Sequence, residues 1–256
     1  MSTLNSYYYE KPNYIFRHRE NKHVDKKLTQ LLKYGLGLSN GNTSCIVFNF
    51  YLYLRDVELI TVAESKEAVM YHRSPNLKRL VLPATGKLSK VGVEKAMKSW
   101  GGLESITFTS LVRDSNIFST ICKYGKNITE MKFNCDFEEH HADAMIEYTR
   151  KLKVLSFRSS IVRVKALSRV LSFLEHLEAV NVCHSMILDT TFSKVVLYCM
   201  DDLGKHLAPS CLGKLIFCEG GRCLRCKNGR DTTSSRQPYG HLEDIWRQDE
   251  ITSLAH

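Results

Sequence analysis

The stretch Leu77-Lys78-Arg79-Leu80-Val81-Leu82-Pro83 decides how this chain folds. Apolar residues stand at positions 1, 4 and 6. The same template returns at Leu103/Ile106/Phe108, Ile128/Met131/Phe133, Leu152/Leu155/Phe157 and Leu177/Val180/Val182, at intervals of 24 to 26 residues. Cys45/Phe48/Phe50 precedes the series by 32 residues, and Leu212/Leu215/Phe217 follows it by 35. LxxLxL spacing at a fixed period of roughly 20–29 residues is the signature of a leucine-rich repeat. One such unit cannot bury its own apolar face, so stability comes from stacking neighbours. The fold class expected is therefore an α/β leucine-rich-repeat solenoid, a horseshoe with a parallel sheet on its concave face and helices on its convex face.

The unit from Leu77 to Trp100 shows the plan. The alternating run Leu77–Leu82 reads as a short strand. Pro83 removes a backbone donor and helps to end it. Gly86 permits a turn, and Leu88 points back toward the core. Ser89 is placed to cap a helix whose Val93, Ala96 and Met97 fall on one face. Trp100 closes that helix, and Gly101-Gly102 resets the chain. Later helices are expected near residues 116–123, 142–149, 165–173 and 192–203. At the N-terminal end, Asp25 is placed to cap a helix carrying Leu28, Leu31 and Leu32, with Gly35 as its stop. The run from Cys45 to Leu54 reads as a strand. The chain thus divides into a link or cap at 1–44, about six to seven repeats at 45–218, and a basic, cysteine-containing loop with a capping helix at 219–256. Leu242, Ile245 and Trp246 give that last helix its apolar side.

Positions 3, 5 and 7 of each strand alternate away from the core. They define the candidate partner-binding face: Asn49 and Tyr51, Arg79, Thr107 and Thr109, Lys132 and Asn134, Ser156 and Arg158, and Asn181. Its centre is polar, and it is expected to be open on the concave side. Repeat arrays commonly bind partners there.

Composition excludes several classes. The chain has 43% hydrophobic and 25% charged residues, as a soluble protein does. No apolar run approaches the ~18 residues of a membrane span, so no membrane partner is expected. The N-terminus is polar and tyrosine-rich, without an apolar signal core. Nine cysteines, an odd number, sit largely on strands and helices and read as reduced fillers, which places the chain in the cytosol or nucleus. The net charge is +9, from 36 Lys and Arg against 27 Asp and Glu. Basic residues concentrate at 1–35 and 205–236. No nucleic-acid motif accompanies them, so a nucleic-acid partner is not the favoured reading. It would rest on Arg222, Arg225, Lys227 and Arg230.

Catalytic and metal patterns are thin. Cys218, Cys223 and Cys226 include one Cys-x-x-Cys pair, but a closed zinc site needs four ligands and no second pair exists. The basic Arg222, Arg225 and Lys227 nearby also fit a redox-sensitive pair. Glu138-Glu139-His140-His141-x-Asp143 lacks the HExxH spacing that puts two histidines on one helix face. No phosphate loop or nucleophile elbow appears. No cofactor is implied, and the chain reads as a binding protein rather than an enzyme.

Several stretches resemble plant F-box/LRR-repeat proteins. They are Arg73-Ser74-Pro75-Asn76-Leu77-Lys78-Arg79-Leu80-Val81-Leu82-Pro83-Ala84, Trp100xxLeu103-Glu104-Ser105, Leu152-Lys153-Val154-Leu155-Ser156, Leu174-Glu175-His176-Leu177-Glu178, and the tail Ile245-Trp246-Arg247-Gln248-Asp249-Glu250 with Ser253-Leu254. The similarity covers roughly residues 24–256. It implies a protein that selects a substrate for an SCF-type (Skp1-cullin-F-box) ubiquitin ligase, so that the substrate is degraded. The family's F-box opens with Leu-Pro and carries a Trp near its end. Here the only Leu-Pro is Leu82-Pro83, and the tryptophans are Trp100 and Trp246. Residues 1–44 correspond to the family's link between F-box and repeats. A Skp1-like adaptor is thus expected as a partner only where an F-box lies upstream. The alternative is a repeat scaffold or competitor that binds a protein without joining a ligase.

Overall fold

The computed structural model describes residues 22–39, 42–64, 76–112, 114–157, 160–183, 185–189, 196–198 and 215–216. Its centre is a seven-stranded sheet made of β1 (Cys45–Val47), β3 (Arg79–Val81), β5 (Ser105–Thr109), β6 (Glu130–Asn134), β7 (Val154–Phe157), β9 (Ala179–Asn181) and β12 (Leu215–Ile216), in that order. Every pairing in this sheet is parallel. Parallel neighbours need a crossover between them. The crossovers contain α2 (Asp56–Ala63), α3 (Lys90–Ser99), α4 (Ser115–Tyr124), α5 (Glu139–Tyr148) and α6 (Val164–Phe173). The helix α1 (Lys22–Leu38) precedes the sheet and packs on α2. Each later helix packs on its successor, through α6.

The template positions are the core. In the regular units from Leu77 to Val182, every residue at positions 1, 4 and 6 is buried. They join one apolar cluster with Val93, Ala96, Phe118, Ile121, Ala142, Met145, Leu167 and Val170 of the helices. Burying such a side chain contributes about 1.5–3 kcal/mol. Phe108, Phe118, Phe133, Phe137 and Phe157 form a chain of ring contacts through the middle of the array, with centroids 4.8–5.7 Å apart. Cys122 is buried there, and burial pushes its thiol far above the ordinary range. It is an inert filler.

Two backbone devices repeat with the sequence period. The carbonyls of Ser44, Lys78, Glu104, Thr129 and Lys153 each accept two amides from the next repeat, at 2.8–3.1 Å. The amides of Leu103, Ile128, Leu152 and Leu177, all at position 1, donate to the carbonyl three residues earlier, so each helix hands over to its strand in the same way. Burial of the leucine and satisfaction of its backbone occur together, which keeps the strands in register.

Local signals act as expected at α3. The Ser89 hydroxyl accepts from Gly92 N at 3.0 Å, and Trp100 is buried behind the last turn. Gly86 has φ +156°, and a Cβ there would meet Leu54 O at 2.1 Å, so glycine is required. The close approach is the parallel pairing of β4 (Thr85–Lys87) with β2 (Tyr53–Arg55).

Some expectations are corrected. The run Cys45–Leu54 is two strands, β1 and the start of β2, separated by a turn around Asn49–Tyr51. Leu54 turns into its own core site ahead of α2. Gly35 does not stop α1, which continues to Leu38, and Asp25 lies inside its first turns rather than at its cap. Residues 192–203 are not one helix. Val196–Tyr198 is a strand, β11, antiparallel to β10 (Met186–Asp189), which in turn lies parallel to β8 (Ile161–Arg163). Leu197 stands opposite Leu188 in that ladder. Leu215 fulfils its expected place beside Val180. The expected C-terminal capping helix lies outside the described residues.

Candidate functional site

Register assembles the polar positions into rows. Val47, Val81, Thr107, Lys132, Ser156, Asn181 and Ile216 stand side by side across the sheet. One row earlier lie Arg79, Ser105, Glu130 and Val154, and one row later Thr109 pairs with Asn134. Four of the candidate residues, Thr107, Lys132, Ser156 and Asn181, thus sit on adjacent strands, which in sheets lie about 4.8 Å apart. Thr109 and Asn134 adjoin them. Arg79 is one strand and one row away.

The face is less open than its sequence implies. Thr107, Thr109, Lys132, Ser156 and Asn181 are all buried, Lys132 completely. Val81 is buried too, yet lies outside the helix-packed apolar cluster. Asn134 and Arg79 are half-buried, and among the described candidates only Asn49 and Tyr51 are exposed. Alternation correctly sends these side chains away from the helices, but it does not leave them in water. Arg158 and the Cys218, Cys223 and Cys226 group lie outside the described residues.

The buried row holds unspent hydrogen-bonding capacity. The hydroxyls of Ser105, Thr107 and Ser156 have no hydrogen-bond partner. Thr109 Oγ1, in contrast, donates to Pro83 O, and Ser110 Oγ donates to Ala84 O at 2.8 Å. These two hydroxyls tie neighbouring repeats together. Asn49 Oδ1 accepts from Tyr51 N at 3.0 Å, and Asn181 Oδ1 accepts from Cys183 N at 2.9 Å. Both asparagines fix the turn that follows a strand, a common role for Asn. Glu130, at the outward-facing position 3 of its strand, reaches Arg79 at 3.8 Å over the Ser105 strand.

The histidine-rich segment is structural. His141 Nδ1 accepts from Glu138 N at 3.0 Å and so caps α5 from its third residue. Its ring lies against Phe118, Phe133 and Phe137. Burial, with the neighbouring His140 adding to it, lowers its pKa to about 3. Among the described residues, no group of three or more His, Cys, Asp or Glu side chains is arranged to hold a metal. Nor is any described helix long and apolar enough to cross a membrane.

Comparison with known proteins supplies the family. No family model matches the chain. An F-box/LRR-repeat protein of Arabidopsis thaliana is 31% identical over 246 residues, a match covering 94% of this chain and 76% of that protein. The chain belongs to the plant F-box/LRR-repeat family. A putative F-box protein of the same plant is 26% identical over 211 residues, covering 82% of this chain and 59% of its own length. Membership in the F-box/LRR-repeat family agrees with the ladder of strands described above, since a leucine-rich repeat places one strand and one helix or 3-10 turn per unit.

Proposed function

We propose that this chain is a leucine-rich-repeat horseshoe that selects a protein substrate for an SCF-type ubiquitin ligase. It performs no bond chemistry itself; it positions the substrate while other subunits transfer ubiquitin. The observation that carries the reading is the in-register polar row Thr107–Lys132–Ser156–Asn181, with Arg79 and Asn134 beside it, in a chain of this family.

Contact with substrate begins at the open end of the face, at Asn49 and Tyr51, and extends over Arg79 and Asn134. The buried row Thr107–Lys132–Ser156–Asn181 belongs to the same face. Its orphan hydroxyls support this, because a buried hydroxyl without a partner is destabilising by about 1–3 kcal/mol and a bound partner relieves that penalty. Attachment to a Skp1-like adaptor requires an F-box joined to the array.

The test has two arms. Chain expressed in plant cells with the proteasome blocked is captured and its partners identified, with wild type compared with Tyr51→Ala/Arg79→Ala. Adaptor binding is measured separately. The reading expects a ubiquitinated protein held by wild type and lost in the variant. A partner held without any ubiquitination or adaptor would instead favour a non-ligase scaffold. Equal capture by both proteins would refute the assigned face.

A further inference from the structure

The helices α3 to α6 hand over to the next strand through the same four-residue turn, so the turns can be compared position by position. They span 100–103, 125–128, 149–152 and 174–177, and in each the last amide donates to the first carbonyl at 3.0–3.2 Å. The strands that follow are in register, with Ser105 beside Glu130, Glu130 beside Val154 and Val154 beside Ala179. The turns therefore stack along one side of the array. Their middle residues are Gly101-Gly102, Lys126-Asn127, Arg150-Lys151 and Glu175-His176. Cations thus meet on two adjacent turns, bounded by glycines on one side and by Glu175 on the other.

Lys126, Arg150 and Lys151 are exposed, and none has an ion-pair partner among the described residues. Their neighbours differ. Lys153, the residue after its turn, is held by Glu178 at 2.9 Å, and Lys98 in the last turn of α3 is held by Glu94 at 2.6 Å. The fold neutralises those lysines and leaves these three cations without a counter-charge. A second observation is a row of rings. Tyr124, Tyr148 and Phe173 are each the last residue of their helix, directly before the turn. Tyr124 and Tyr148 pack against the core, whereas Phe173 is 62% exposed. Phe173 therefore stands one repeat from Arg150 and Lys151. An exposed ring gains by burial under an apolar side chain, and cations beside it fix where acids must lie.

We propose that the turns 125–128 and 149–152, together with Phe173, bind an acidic segment of a partner protein in which Asp or Glu residues stand beside one apolar anchor. Arg150 offers a carboxylate two parallel N–H donors, Lys126 and Lys151 take the neighbouring acids, and the anchor covers Phe173. A nucleic-acid strand fits less well. It carries a phosphate at every residue, and the cations last for two turns before Glu175 opposes the next one. The surface is separate from the polar sheet face, because these turns lie at the helix ends and precede the strands.

The test uses the 256-residue chain and two short labelled peptides, one with Asp and Glu around a single Phe, the other with Asn and Gln in their place. Anisotropy titration is expected to show the acidic peptide binding about tenfold or more tightly than its amide twin, which is about 1.4 kcal/mol. Arg150→Gln/Lys151→Gln should remove that preference, and Phe173→Ser should weaken binding of the acidic peptide. Lys90→Gln/Lys165→Gln takes the same charge from the opposite ends of α3 and α6 and should leave the preference unchanged. Equal binding of the twins overturns the proposal. So does an equal loss in the two double variants, which would reduce the effect to the net charge of +9. Tighter binding of a labelled oligothymidylate, lost in Arg150→Gln/Lys151→Gln, would overturn it by assigning the surface to a nucleic acid.

Discussion

Arg79 and Glu130 stand two strands apart, yet their side chains approach to 3.8 Å across the strand that carries Ser105. They are about a fifth and a third exposed, at 21% and 33%. The pair closes one margin of the polar face. Its length places it among weak ion pairs, so its net effect on stability is about 0–1 kcal/mol. A double-mutant cycle with Arg79→Ala and Glu130→Ala, read by urea unfolding, should give a coupling in that range that shrinks in high salt. A coupling above about 2 kcal/mol would contradict this reading.

The orphan hydroxyls predict opposite effects on stability and binding. Thr107→Val replaces an unpartnered buried hydroxyl by a methyl of similar shape. Unfolding should show the variant as stable as wild type or more stable by up to about 1 kcal/mol. Partner capture should weaken, because the row has lost one of its groups. A variant destabilised by about 2 kcal/mol would mean that the hydroxyl already has a structural partner.

Two glycines should respond in opposite directions to the same change. Gly86→Ala forces a Cβ against Leu54 O at a positive φ and should destabilise by more than about 1 kcal/mol, loosening the β2–β4 pairing. Gly35→Ala adds a methyl to open space inside a helix and should stabilise by up to about 1 kcal/mol. Thermal unfolding of both variants checks the pair. Loss of stability at Gly35 would show that α1 needs that glycine for its own packing.

His141 gives the array an acid-sensitive term. Its folded pKa of about 3 lies below the ordinary 6.5. Between those values the unfolded chain binds a proton that the folded chain refuses. Its contribution is therefore complete above about pH 6.5, declines as pH falls toward 3, and changes no further below that. His141→Gln keeps an acceptor at the third helix position and removes the titration. Melting curves from pH 7 to pH 5 should show a larger loss for wild type than for this variant. Parallel losses would remove His141 as the cause.

Much of this architecture was legible because period and burial coincide. Leu77, Leu103, Ile128, Leu152 and Leu177 mark the start of each strand, and Ser89 marks a helix. The helix α2 is not legible, because Asp56–Ala63 lies in the irregular first interval and its polar Asp56, Glu58 and Thr61 do not separate from its apolar residues onto one face; Glu58 itself is buried. Val196–Tyr198 carries no periodicity that separates strand from helix, because a short run of consecutive apolar residues fits either. The polar row was placed correctly by alternation. Its burial was not legible, since alternation tells which way a side chain points and not whether water reaches it. Lys132 illustrates this: a lysine at a sheet position reads as solvated, and here it is fully buried.

The polar sheet face, with the exposed turn at Asn49 and Tyr51 beside its edge strand β1, is proposed to hold a protein destined for ubiquitination. Site-specific photo-crosslinking tests it most directly, with the probe placed at Tyr51 or at Val91, which is 75% exposed on the helix side. With the proteasome blocked in plant cells, a ubiquitinated protein should crosslink from position 51 and none from position 91. Crosslinking from 91 with none from 51 would contradict it.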